Sequence, residues 1–358
     1  MNRNLLVLSV YGEDQAGTRL RACQYEPHLR QAGIDVGYWS FLSATDSPRW
    51  FGHCSRRLRA VILLRSGLRL LWLPMLIRRA DAVLVLREAV PLATTAVERL
   101  AARSSVLIWD VDDAIWTDYP RLFARWLPRR LRRTSRKYEV IAGLADEVWA
   151  GSDFVATWCT AHAARVLVIP TVVPVPALVP TRADRTRTLA WVGSASTSAF
   201  LEESLAAIEP VDLGVEVRCV GAKVAGTDRL PVRCEPWSQA AEDAALNESQ
   251  VGLYPLSTDH PLAAGKAGLK AVLYMAHGLP SVVTPTDTTA MIVRDDVDGL
   301  HARTSEEWRD AVGRLLDDEA LWERLSRSGH RRAATDFSLQ AWAPRVVARV
   351  QDLVRVDT

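Results

Sequence analysis

Ten short apolar runs, most of them β-branched and each followed by a stretch long enough for a helix, restrict this chain more than any other feature. In the first half they are Leu5–Val10, Ile34–Trp39, Ala82–Leu86, Val106–Trp109, Glu147–Ala150 and Val166–Ile169. In the second half they are Leu189–Val192, Val215–Val220, Val251–Tyr254 and Ser281–Thr284. Continuous apolar runs, in place of strict alternation, suit strands buried on both faces. Alternation with helical stretches then gives an α/β chain with a parallel, doubly wound sheet, and here the pattern runs twice.

At roughly 150 residues per domain, a length of 358 residues also points to two domains, each able to bury its own core. Pro174-Val175-Pro176-Ala177-Leu178-Val179-Pro180, with a polar stretch to about Arg187, reads as a linker. The expected division is 1–173, a linker over 174–187, and 188–335. The closing segment 336–358 holds an amphipathic helix from Leu339 to about Val354, expected to pack back on the first domain. Thr304-Ser305-Glu306-Glu307 forms a capping box before a helix containing Trp308 and Leu315-Leu316.

Several classes are excluded. With 44 Lys plus Arg against 42 Asp plus Glu, the formal charge is +2, so bulk charge does not make this a nucleic-acid binder. The five cysteines are scattered and odd in number, without CxxC or Cys/His ligand spacing, so they read as buried thiols of a cytoplasmic protein. The first apolar run is too short for a signal peptide. Residues 60–77 are rich in leucine, yet Arg65, Gly67, Arg69 and Pro74 interrupt them. A central arginine costs about 2.5–3.5 kcal/mol on insertion scales, which argues against a spanning helix. An amphipathic helix packed on the protein is expected there; the alternative is a helix lying on a membrane surface. Arg121–Lys137 carries eight basic residues with Trp126, Leu127 and Leu131 interleaved. It reads as a solvated basic helix, the alternative being contact with an anionic membrane or acceptor.

The common nucleotide signatures do not fit. The first strand is followed by Gly12-Glu13-Asp14-Gln15-Ala16-Gly17-Thr18-Arg19, which is not GxGxxG, and no GxxxxGK[ST] occurs. GxSxG, HExxH and kinase signatures are missing as well. What stands out is the stretch Gly265-Lys266-Ala267-Gly268-Leu269-Lys270 running on through Tyr274-Met275-Ala276-His277-Gly278-Leu279-Pro280. Lys266 and Lys270 are four apart, so on a helix they would share one face near its start. Two ammonium groups beside free backbone N–H groups cradle a diphosphate; the alternative is a solvated pair. Gly193-Ser194-Ala195-Ser196-Thr197 follows a strand, and its small hydroxyl-bearing residues let backbone and side chains approach phosphate oxygens. A plain N-cap at Ser196 or Thr197 is the simpler alternative. Trp237 suits base stacking, or it fills a core.

In its order of motifs the chain resembles the family 4 glycosyltransferases of the GT-B fold. The donor segment just quoted, followed by Ile292-Val293-Arg294-Asp295-Asp296-Val297-Asp298-Gly299-Leu300, is similar to that family's "YMA.G.PVV" and "IV..G.NG" elements. Trp109-Asp110-Val111-Asp112-Asp113-Ala114 looks like the D-DDA loop of one branch. Ile169-Pro170-Thr171-Val172-Val173 and Trp191-Val192-Gly193-Ser194 resemble the end of its first domain and the opening of its second.

The resemblance implies two Rossmann-like domains facing each other across a cleft, and sugar transfer from a UDP-, GDP- or dTDP-sugar with retention of configuration. Gly193, Ser194, Ser196, Thr197, Trp237, Gly265, Lys266 and Lys270 would bind the donor, the two lysines also serving catalysis. Gly17, Thr18, Arg19, Arg87, Asp110, Asp112 and Asp113 would lie on the acceptor side, at strand ends. The three aspartates could instead suggest a divalent metal; the resemblance implies no metal and no cofactor beyond the nucleotide sugar. Two positions depart from the family pattern. Its E-x7-E pair falls on Gly265 and Leu273, and Ser194 stands where an arginine is usual. Leu273 cannot accept from the ribose hydroxyls as the family's second glutamate does, so that contact is supplied elsewhere or is missing. Its loss would suit a deoxyribose donor such as a dTDP-sugar or a catalytically silent binding module. A GT-B epimerase or phosphorylase ranks behind both.

Overall fold

The computed structural model describes residues 3–51, 55–117, 135–209, 213–227, 229–257 and 263–355. Most of Arg121–Lys137, together with His53, Cys54 and His260, therefore lies outside the described residues. The chain divides into two compact units, residues 1–171 with 342–358, and residues 172–341.

The first unit is built on a six-stranded sheet: β1 (Arg3–Ser9), β2 (Ile34–Ser40), β3 (Ala82–Leu86), β4 (Val106–Val111), β5 (Glu147–Ala150) and β6 (Val166–Val168). Their order is β2-β1-β3-β4-β5-β6, and every pairing is parallel. β3 and β5 are buried along their whole length, as expected for strands covered on both faces. Trp109 on β4 and Trp149 on β5 are among the largest fully buried side chains. The last helix, Leu339–Arg355, brings Val346 and Val350 into the buried set. There the Arg349 guanidinium pairs with the buried Glu147 carboxylate, which also accepts a hydrogen bond from the Trp149 indole at 2.9 Å.

The second unit repeats the plan: β7 (Thr186–Val192), β8 (Glu216–Val220), β9 (Val232–Glu235), β10 (Ser249–Tyr254), β11 (Ser281–Val283) and β12 (Leu300–His301). All pairings are again parallel, in the order β12-β11-β10-β7-β8-β9. Counted from β7, this is the 3-2-1-4-5-6 order of dinucleotide-binding sheets, with its reversal point between β7 and β10. The capping box at Thr304 and Glu307 is formed. The proline-rich stretch packs on this unit: Val173 N donates to Phe337 O at 3.0 Å, and His330 Nε2 lies 2.9 Å from Pro176 O.

Two strands had no counterpart in the apolar runs. β9 is an edge strand with a half-exposed pattern, and β12 is two residues long, so neither has the double burial that makes a strand visible in sequence. The leucine-rich segment also departs from expectation. It forms two helices, Arg56–Arg69 and Leu73–Arg78, and a large part of its apolar surface is exposed instead of being packed on the protein.

Candidate functional site

In an open parallel sheet the carboxyl ends of the strands at the order reversal leave a crevice where ligands bind. In the second unit that place lies above β7 and β10. The Lys270 ammonium sits there, 5.1 Å from the ring centre of Trp191 on β7 and 5.1 Å from that of Tyr254 at the end of β10. Both distances are within range for a cation–π contact. Gly193, directly after β7, makes room for the lysine: a Cβ there would stand 2.8 Å from Lys270 Cε and 2.5 Å from Trp191 Cη2. Gly221, after β8, has φ +91°, and a Cβ on it would come within 2.2 Å of the Gly193 carbonyl oxygen and 3.3 Å of Trp237 Cβ. Gly193, Gly221, Trp237, Tyr254 and Lys270 thus meet over the ends of four adjacent strands.

The helix carrying Lys270 runs Leu269–Ala276. It begins there because Gly268 adopts φ +72°, a left-handed conformation that breaks the helical path. Lys266 consequently lies in the turn before the helix, and the expectation that both lysines share one helical face is corrected. Both are half-buried. No side chain caps this helix, so its first-turn N–H groups have no side-chain acceptor at the N-cap. Tyr274 anchors it from below: its hydroxyl donates to Leu253 O at 2.9 Å, and its ring fills the space that a side chain on Gly252 would need.

The Gly193–Thr197 loop enters a short 3-10 turn, Ala195–Thr197, and then the helix Ser198–Ile208. Thr197 occupies the N-cap position, but its hydroxyl donates to Ser194 O at 3.1 Å and does not cap the helix. Ser194 is exposed; the side chain of Ser196 lies outside the described residues. Trp237 is 44 % exposed, so it is not a core residue, and its indole N–H is fixed by Glu242 Oε2 at 2.9 Å. Gly265 is buried in the turn and Leu273 is half-buried on the helix. His277 pairs with Asn247 at 3.0 Å, and burial lowers its pKa.

In the first unit the expected acceptor-side residues fall into two groups. Asp110, Asp112 and Asp113 hold a charged network at the ends of β3 and β4. Arg21, which sequence reading did not single out, donates from Nη2 to Asp110 Oδ2 at 2.6 Å and from Nη1 to Ile169 O at 2.8 Å. Burial works to lower the pKa of Arg21, but the Asp110 charge and hydrogen bonds outweigh it and raise it. Arg87, with φ 60°, donates to Asp112 at 2.8 Å and to Asp113 at 2.7 Å. Burial pushes the Asp112 carboxyl up, yet the Arg87 charge and hydrogen bonds bring it down to about 2.

Beside this network Lys137 is buried, donating to Glu88 Oε2 at 2.8 Å and to the carbonyls of Val90 at 2.6 Å and Leu92 at 2.7 Å. A residue read as part of a solvated basic face is therefore a core cation with three acceptors. No spacing in the sequence links Arg21 to Asp110 or Lys137 to Glu88. Gly17, Thr18 and Arg19 belong to a short helix, Ala16–Arg21, and not to a loop. Gly17 is exposed with open space around it, whereas the crowded glycine after β1 is Gly12. Among the described residues no three carboxylate, imidazole or thiol groups converge as a metal site requires.

Residues 184–318 match the family model described as glycosyl transferases group 1. No curated protein sequence matches the chain significantly. Among solved structures the fold is similar to HepE of Anabaena in complex with UDP and glucose, at 13 % identity and TM-score 0.69, covering 98 % of this chain and 100 % of that one. Sucrose-phosphate synthase from Thermosynechococcus elongatus matches at 14 % identity and TM-score 0.70, over 100 % of both chains. A glycosyltransferase from Rickettsia africae matches at 12 % identity and TM-score 0.62, over 100 % of this chain and 99 % of that one. Taken together, the family-model match over the second unit and the GT-B fold over the whole chain indicate a glycosyltransferase.

Proposed function

We propose that the second unit binds a nucleoside-diphosphate sugar above β7 and β10, and that the protein transfers the sugar to an acceptor hydroxyl or amine with retention of configuration, as in family 4. The observation that carries this reading is the position of Lys270, beside Gly193 and over Trp191 and Tyr254, at the reversal point of the sheet. The Anabaena HepE structures, which hold UDP and UDP-glucose, support a nucleotide-sugar donor.

In this reading the pyrophosphate lies against Lys266, Lys270, Gly265 and the N–H groups of the Gly193–Thr197 loop, with Trp237 beside the base. The bond from the anomeric carbon to the diphosphate oxygen breaks with its electron pair on the diphosphate, and the sugar takes oxocarbenium character. The two ammonium groups and the backbone donors stabilise the growing negative charge. The acceptor oxygen or nitrogen then forms the new bond to the anomeric carbon, and its proton goes to the departing diphosphate oxygen. Gly17, Thr18, Arg19, Arg87, Asp110, Asp112 and Asp113 are the acceptor side of the proposal, and no metal is assigned a role. The unbridged Cys23, Cys159, Cys219 and Cys234 support a cytoplasmic location.

A charge-assisted hydrogen bond contributes about 1.5–3 kcal/mol, so Lys270→Ala is expected to slow donor turnover about tenfold to hundredfold. Full turnover by that variant counts against the assignment. Gly265 and Leu273, at the E-x7-E positions, favour a second reading in which the site binds a nucleotide diphosphate without turning it over. Calorimetry with UDP and dTDP, followed by a transfer assay, separates the readings: binding without turnover supports the silent module. Preference for dTDP supports a deoxyribose donor, and a clear preference for UDP ends that idea.

A further inference from the structure

The segment Arg56–Arg78 is apolar on its outward side as well as its inward one. Ile62, Ser66, Leu73 and Ile77 are buried against the first unit, while Leu64 is 65 % exposed, Leu68 55 %, Leu71 75 % and Trp72 66 %. Two arginines take the inward positions that apolar residues usually occupy: the Arg59 and Arg69 guanidiniums lie 5.7 Å from the ring centres of Trp50 and Trp39. A helix on the surface of a soluble protein normally carries polar residues on its outward face. Adjoining leucines and a tryptophan exposed to this extent form a patch of the kind that marks an interaction site.

The charge around the patch indicates what covers it. Between Ser55 and Ala80 the sequence has seven arginines and no aspartate or glutamate. Arg57, Arg65, Arg78 and Arg79 are exposed. A second copy of this chain, seated on the same face by a two-fold axis, would bring these like charges together. An anionic lipid surface neutralises them. By length and composition alone Arg57–Arg78 could cross a membrane, and only 22 % of its most apolar window is buried. Arg65 and Arg69 near its middle and the break between the two helices make lying in the interface less costly than spanning.

We propose that these two helices seat the protein on an anionic bilayer, with Leu64, Leu68, Leu71 and Trp72 inserted at the boundary of headgroups and acyl chains and the exposed arginines on lipid phosphates. The proposal is independent of the donor site. It is tested by floating the full-length protein with vesicles of phosphatidylcholine alone or with about 30 % phosphatidylglycerol, enough to give an anionic surface potential. Flotation is expected with the anionic vesicles only, and is expected to be lost at high salt. Arg57→Gln and Arg78→Gln should each weaken it about fivefold, the effect of one basic residue near such a surface. Leu64→Glu/Leu68→Glu should weaken it by about tenfold or more, with the melting temperature and UDP binding unchanged. Equal binding to neutral vesicles, no flotation with either kind, or a dimer that Leu64→Glu/Leu68→Glu dissolves would each overturn the proposal. UDP binding, measured on the same samples, reports on the donor site separately.

Discussion

A methyl group added at Gly221 would stand 2.2 Å from a backbone oxygen in a φ region that side chains rarely adopt. Gly221→Ala is therefore expected to cost about 1–3 kcal/mol in urea unfolding and to weaken nucleotide binding, because the displaced oxygen belongs to Gly193. Gly17 is the control. It sits exposed in a helix with open space around it, so Gly17→Ala should stabilise the protein by roughly 0.5–1 kcal/mol. Buried charge gives a second contrast. Arg21→Met leaves the Asp110 carboxylate buried without its guanidinium and should cost about 3–5 kcal/mol, while Arg21→Met/Asp110→Asn should recover much of that loss. A double-mutant cycle in denaturant measures both. Residues of this kind divide sharply in how legible they are. The Lys266–Lys270 pair shows in the sequence because its partners are local. Trp191 and Tyr254 read as core from their strands, and their rings become a seat for Lys270 only when β7 and β10 are laid side by side.

Elements were legible where they carry an apolar run, and their ends were clearest where both faces are buried. Ala82–Leu86 and Glu147–Ala150 begin and end where their apolar runs do, since both faces of these strands are covered. The edge strand Val232–Glu235 carries Arg233 and Glu235 and has no such run. The start of the Lys270 helix depends on the left-handed backbone of Gly268, which four-residue spacing does not reveal. Paired elements also set a pH dependence. The clamp from Arg87, after β3, to Asp112, after β4, holds a carboxyl at about 2, below its ordinary value. A carboxyl lowered on folding stabilises the protein fully above its unfolded pKa of about 3.9 and loses that contribution as pH falls toward the folded value. Unfolding free energy should therefore decline progressively as pH falls from about 5 toward 1, by on the order of 2 kcal/mol from this group alone. Arg87→Met should flatten that part of the profile, as read in denaturant titrations across the acid range.

At the scale of the whole molecule, each unit has its own sheet and its own core, and the matched model covers residues 184–318 in only one of them. The double α/β plan was open to sequence reading because it is written in repeated apolar runs. The charged network of the first unit was not, because its partners are brought together from far apart in the chain: Arg21 and Asp110 are separated by 89 residues, Lys137 and Glu88 by 49. A ligand held by the second unit alone should leave a corresponding signature. A nucleotide that binds the native state stabilises it by about 2.7 kcal/mol at about a hundred times its Kd, or several degrees in melting temperature for a unit of this size. Scanning calorimetry with UDP-, GDP-, dTDP- and ADP-sugars is expected to show such a shift for one base class. If the two units melt separately, only one of the transitions should move. Lys270→Ala should cut the shift to about half or less and Gly17→Ala should retain it, because of the two only Lys270 stands at the reversal point of the second sheet. A shift of equal size for every base would mean that Trp237 does not discriminate bases and that recognition rests on the groups the donors share.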